Sequence, residues 1–148
     1  MPRIERTAQI VWEGNLARGN GHLSAGTGAF SALPYSLPSR VDKPGDTTSP
    51  EELLAAAHGG CLTMSVAGEL SGAGTPPGRV ELTCRIVMDE VDGQGHQIVA
   101  SHVELAVAAD GLDDAGLERA VAAADEGCPF STLLRRAGAA VHVSARLA

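Results

Sequence analysis

The run Ser49-Pro50-Glu51-Glu52, with the long proline-free stretch behind it, constrains this chain more than any other segment. A serine hydroxyl can cap a helix, proline fits the first helical position, and Glu52 stands where a capping box needs its carboxylate. Leu53, Leu54, Ala57, Cys61 and Met64 then recur at spacings of three and four, the period of a helix face. Gly72 and Gly74 offer a terminus, and Pro76-Pro77 forbids continuation. The pattern predicts a helix that starts at about Ser49 and ends at Gly72 or Gly74, with Cys61 in its middle.

What packs around it reads as strands. Thr7–Glu13 alternates, with Ala8, Ile10 and Trp12 on one face, and predicts a half-buried strand. Glycine turns separate it from a strand over His22–Ala25 and a third ending near Val41. Val80–Met88 alternates again with Cys84 inward, and only Val87 out of phase; Asp92-Gly93-Gln94-Gly95 returns the chain into a strand from about Gln97 to Val107. Asp113 or Asp114 caps a second helix ending at Gly127, Cys128-Pro129 opens a third to about Ala137, and Val141–Leu147 closes as a strand. Strands, long helix, hairpin, helices and strand make an α+β chain rather than a parallel α/β sheet. At 148 residues without a linker-like segment, residues 1–148 are expected to form a single domain.

A net charge of −7 with no Lys/Arg cluster leaves no electrostatic footprint for nucleic acid. The residues from Met1 to Thr7 carry both signs of charge with no apolar leader behind them, and the apolar runs read as shorter than a membrane span. A cytoplasmic protein is expected, with no nucleic-acid or membrane partner. The three cysteines are scattered and odd in number, which in a reducing compartment points to reactive rather than structural thiols.

Such a thiol needs a cation nearby, because only the thiolate is a good nucleophile. Cys61 lies too deep in its helix for the helix dipole to help. Arg40 and Arg18, in turn-rich segments before the helix, are the candidate cations, and Glu51 is the carboxylate that could orient either. Ten residues of helix, about 15 Å, separate Glu51 from Cys61. If Glu51 serves Cys61, it is expected to come from the other subunit of a dimer. Cys128, at a helix start, should be accessible and could attack a sulfenic acid on Cys61. Leu53, Leu54 and Met64 share the helix and could line an apolar pocket. Cys84 reads as a buried inert thiol. His58, three residues before Cys61, could pair with it as in a thiol hydrolase, but no third residue to orient the imidazole is evident. No C-x-x-C or H-x-x-x-H spacing suggests zinc, and no cofactor motif occurs in the glycine-rich stretch Gly14–Gly28.

Trp12-Glu13-Gly14, Arg18-Gly19-Asn20-Gly21, Pro34-Tyr35, the run from Ser49 to Cys61 through Ala55-Ala56-Ala57-His58-Gly59-Gly60, and Gly127-Cys128-Pro129-Phe130-Ser131 together resemble the OsmC/Ohr family of hydroperoxide-reducing proteins. The resemblance implies antiparallel sheets wrapped around a long central helix and an intertwined homodimer with its site at the subunit interface. It implies Cys61 as peroxidatic and Cys128 as resolving cysteine, Glu51 as partner of the catalytic arginine, and organic hydroperoxides, including lipid-derived ones, as substrates. Arg18 matches the turn position of the Ohr branch and Arg40 the position of OsmC-like members; the Trp-Glu-Gly start favours Arg40. Recycling by a dithiol reductant such as a lipoyl protein is implied as well. A non-catalytic redox sensor or apolar-ligand binder stands as the alternative.

Overall fold

A computed structural model describes residues 3–42 and 45–148. It divides into two compact units, one ending at Leu53 and one running from Leu54 to Ala148.

In the first unit β1 (Ala8–Glu13), β2 (Asn20–Ala25) and β3 (Leu33–Tyr35) form an antiparallel sheet in chain order. Trp12 and Tyr35 meet across β2 with ring centroids 5.5 Å apart. A Cβ on Gly21 would lie 2.4 Å from the Tyr35 ring and 2.9 Å from Trp12, so only glycine lets both rings cover the strand. This packing accounts for much of the N-terminal motif. The half-buried face expected of β1 is not present within one chain, for Ile10 and Val11 are both more than half exposed and only Trp12 is partly covered.

The third strand ends at Tyr35, and Leu37–Val41 forms a short helix, α1, where the sequence reading expected strand up to Val41. Ser36 and Ser39 cap it reciprocally: Ser39 N donates to Ser36 Oγ at 3.3 Å and Ser36 N to Ser39 Oγ at 2.9 Å. Ser39 Oγ also donates to the Thr48 carbonyl at 3.0 Å, and Thr48 N reaches the Pro34 carbonyl. These bonds bind α1 to the segment that starts the long helix.

That helix, α2, spans Pro50–Gly72. Glu52 N donates to Ser49 Oγ, while the Glu52 carboxylate takes the Thr48 hydroxyl at 2.8 Å, so only the serine half of the expected capping box carries over. At the other end Thr75 N bonds the Leu70 carbonyl and Gly74 N the Ser71 carbonyl, a Schellman closure with left-handed Gly74. By length and composition α2 could cross a membrane, contrary to the expectation that every apolar run falls short; a core helix meets the same test.

In the second unit β4 (Arg79–Val91) and β5 (Gly95–Ala108) form a long hairpin. A bulge between Val87 and Met88 explains why Val87 breaks the alternation. After α3 (Asp114–Gly127) and α4 (Pro129–Arg136), β6 (Ala140–Leu147) joins β5 in parallel, so this sheet is mixed rather than purely antiparallel. The core comprises Leu62, Val66 and Leu70 of α2, alternate residues Val103, Leu105 and Val107 of β5, and Leu117, Ala120, Val121 and Ala124 of α3, with Cys128.

The buried stripe of α2 is His58, Gly59, Leu62, Val66 and Leu70, rotated from the stripe read in the sequence; Met64 is 77% exposed. Because α2 is apolar on nearly every side, periodicity could not single out its core face. Gly59 is where the helix presses on β4, since a Cβ there would come within 2.8 Å of Leu82 Cδ2 and 3.2 Å of Cys84 Cβ.

Candidate active site

Two clusters of chemistry-bearing residues emerge, one in each unit. In the first, Arg40 occupies the last turn of α1 rather than an open turn. Its Nε donates to Glu51 Oε1 at 2.9 Å, and its terminal nitrogen lies 2.7 Å from the same oxygen. Arg40 is 42% exposed and Glu51 17%. The serine pair that caps α1, with its bond to the Thr48 carbonyl, ties together the two helix ends that carry this ion pair. Arg18 lies in the exposed turn after β1, where its backbone N donates to Asn15 Oδ1 at 2.9 Å.

In the second unit the Cys61 thiol, partly buried on α2, packs against the core that contains Cys128 and lies close enough to that side chain to feel it electrostatically. The structure thus brings together two sulfurs that lie far apart in sequence. Cys128 caps α4 but is fully buried, which corrects the expectation of an accessible sulfur: it packs into the same core as Leu62 and Val66. Burial pushes the Cys61 thiol above its usual pKa, and the neighbouring Cys128 pushes in the same direction. A backbone hydrogen bond from Phe130 acts the other way. Phe130 belongs to the first turn of α4, whose N–H groups have no partner inside the helix and so are free to serve a thiolate. The sequence placed Cys128 at this helix start; the backbone influence found here acts on Cys61.

Next to the sulfurs lies a feature that the sequence reading undervalued. His58 is fully buried, with Nδ1 2.8 Å from Ser101 Oγ and Nε2 2.8 Å from Ser131 Oγ. Both serines are themselves fully buried. The imidazole is therefore oriented from two sides, and with both nitrogens engaged it is not available as the base of a Cys-His pair. Burial holds its pKa below the usual histidine value; Asp125 and Arg135, which pair with each other at 2.5 Å, pull in opposite directions. Cys84 Sγ lies 3.5 Å from Ser101 Oγ and 3.8 Å from His58 Nδ1, so Cys84 borders a polar cluster and is only partly buried. Among the described residues no group of three or more potential metal ligands occurs.

The family described as OsmC-like protein matches residues 43–144. Peroxiredoxin OsmC of Escherichia coli is 33% identical over 133 residues, covering 89% of this chain and 91% of that protein. An organic hydroperoxide resistance protein of Xanthomonas axonopodis is 33% identical over 92 residues, 62% of each chain. Among solved structures, an OsmC protein from Legionella pneumophila aligns with a TM-score of 0.70 at 23% identity over 99% of both chains. An OsmC-like protein of unknown function from Vibrio cholerae gives 0.78 at 14% identity, over 97% of this chain and 100% of that one. At those identities the two structures establish the mixed α+β fold, and the family match with the Escherichia coli relative establishes membership: this chain belongs to the OsmC family.

Proposed function

We propose that this chain is a cysteine-based peroxidase that reduces organic hydroperoxides, lipid-derived ones included, to alcohols. The observation that carries the reading is the juxtaposition of the Cys61 thiol and the buried Cys128 side chain. The names of its relatives, a peroxiredoxin and an organic hydroperoxide resistance protein, support the same chemistry.

The Cys61 thiolate attacks the outer peroxide oxygen; the O–O bond breaks, the alkoxide takes a proton and leaves as alcohol, and Cys61 becomes a sulfenic acid. The Cys128 sulfur then displaces water from Cys61 and forms the Cys61–Cys128 disulfide. An external dithiol reductant, such as a lipoyl protein, restores both thiols by exchange and leaves as its own disulfide. The Arg40 guanidinium, held by Glu51, polarises the peroxide and stabilises the thiolate, with Arg18 as the second candidate.

Glu51 and Cys61 stand ten residues, about 15 Å, apart along α2, so in this reading the cation is supplied across a homodimer, with Arg40 and Glu51 of the partner subunit facing Cys61. The exposed strip Ala56, Gly60, Met64 and Gly68, one residue per turn of α2, supports a face-to-face helix contact of this kind. The same reading takes residues 1–148 as one domain and the cytoplasm as its compartment. The test is dithiol-driven consumption of cumene hydroperoxide: Cys61→Ser abolishes it, and Cys128→Ser leaves one round of oxidation with little recycling. Unchanged turnover by Cys61→Ser refutes the assignment. A redox sensor would oxidise once and stop; sustained turnover separates the two.

A further inference from the structure

We propose that His58 is a positioning residue for the disulfide step, a strut that holds α4 against α2 so that Cys128 stays within reach of oxidised Cys61. This inference rests on the peroxidase reading above.

His58 and Cys61 stand three residues apart on α2, and Cys128 and Ser131 stand three apart at the start of α4, neighbours on their respective helix surfaces. The bond from His58 Nε2 to Ser131 Oγ and the contact between Cys61 and Cys128 are therefore two rungs between the same two helices, one turn apart, with residue numbers rising on α2 as they fall on α4. The first rung is braced from behind, because Nδ1 of the same ring is held by Ser101 of β5 at 2.8 Å. The imidazole thus fixes three elements at one buried point, whereas the start of α4 has no side-chain cap hydrogen bond of its own.

The chemistry of the strut suits its place. A neutral imidazole carries one N–H and one lone pair, and each serine hydroxyl can donate or accept, so both bonds form in either tautomer without a buried charge. Burial keeps the ring neutral. With both nitrogens committed it takes no proton from the sulfurs.

What the strut secures is the geometry of one bond. When Cys128 displaces water from the Cys61 sulfenic acid, an S–S bond forms, an S–O bond breaks, and the Cys128 proton leaves with the departing oxygen. A disulfide tolerates only a narrow range of Cα separations, about 4.4–6.8 Å. An error of about 1 Å in such an approach can slow a step about 10²-fold. The sulfenic acid that then lingers is open to further oxidation to sulfinic acid.

Loss of the whole ring could unfold the protein, so the test uses Ser131→Ala, which cuts the rung to α4, beside Ser101→Ala, which cuts an equivalent bond from the same ring to β5. Reduced protein is mixed with cumene hydroperoxide, and Cys61 sulfenic acid and the Cys61–Cys128 disulfide are followed by quenching, thiol alkylation and mass spectrometry. The expected result is that Ser131→Ala forms sulfenic acid within about twofold of the wild-type rate but forms the disulfide at least about tenfold more slowly. Sulfinic Cys61 then accumulates in excess peroxide, and Ser101→Ala slows closure far less. Wild-type closure in Ser131→Ala, or equal slowing in both variants, overturns the strut and leaves the peroxidase reading standing. Absence of both sulfenic acid and disulfide in the wild type overturns both.

Discussion

Glu51→Gln separates an ion pair that matters for catalysis from one that merely decorates the surface. Arg40 and Glu51 meet at 2.7 Å, with Arg40 42% exposed. A pair this wet contributes at most about 1 kcal/mol to stability. For a chain of 148 residues that corresponds to a fall in Tm of no more than about 4 °C. If the pair orients a guanidinium on the peroxide, the catalytic effect is far larger. Releasing Arg40 from its carboxylate should lower kcat/KM about 10²-fold, and Arg40→Ala, which removes the charge itself, about 10²- to 10³-fold. Arg40→Lys should not rescue, since an ammonium lacks the planar fork that grips carboxylate and peroxide together. The assay is consumption of cumene hydroperoxide driven by a dithiol, with thermal unfolding of each variant alongside. Activity kept within about threefold in both Glu51→Gln and Arg40→Ala would refute the reasoning, and a large loss in Arg18→Ala alone would transfer the role to the turn after β1.

Gly59→Ala should lose about 1 kcal/mol net: overpacking against Leu82 and Cys84 costs about 1–3 kcal/mol, and the gain in helix propensity returns about 1. A urea midpoint equal to or above wild type would show that α2 is free to shift from β4. His58 has a lowered pKa in the folded state, so the unfolded chain takes up its proton first. Its contribution is complete above the unfolded value, about 6.5, and is lost as pH falls from there towards the folded value. His58→Asn should flatten that part of the curve of stability against pH, and an unaltered slope would contradict the burial of a neutral ring. Cys128→Ala removes an influence that raises the Cys61 pKa, so the pH midpoint for alkylation of Cys61, read on its own peptide, should move down; an upward move would contradict the sulfur contact.

Much of this was legible because it is local. Ser49-Pro50 announces the start of α2, Asp113 caps α3 by accepting from Gly116 N, and the alternation of Val80, Leu82, Cys84 and Ile86 gives β4 its inner face. The helix at Leu37–Val41 was legible in principle, for Ser36 followed by Pro38 repeats the signal used at Ser49, but its five residues leave no periodicity to read. What was missed depends on distance. Whether Cys61 meets Cys128, or His58 meets Ser101 and Ser131, is decided by how α2, β5 and α4 pack. A histidine among alanines and glycines looks like an intrusion until its two partners arrive from elsewhere. The exposed side of α2 misled for a related reason, since Ala57 and Met64 look like core until the true core at Leu62 and Val66 is seen.

On the proposed function Cys61 and Cys128 form one redox pair. Treating the reduced wild-type protein with one equivalent of cumene hydroperoxide, then blocking free thiols and mapping the cysteines by mass spectrometry, tests it directly. The expected product is a Cys61–Cys128 disulfide within one chain and a free Cys84. A disulfide through Cys84, or three cysteines still free after the peroxide has been consumed, would contradict it.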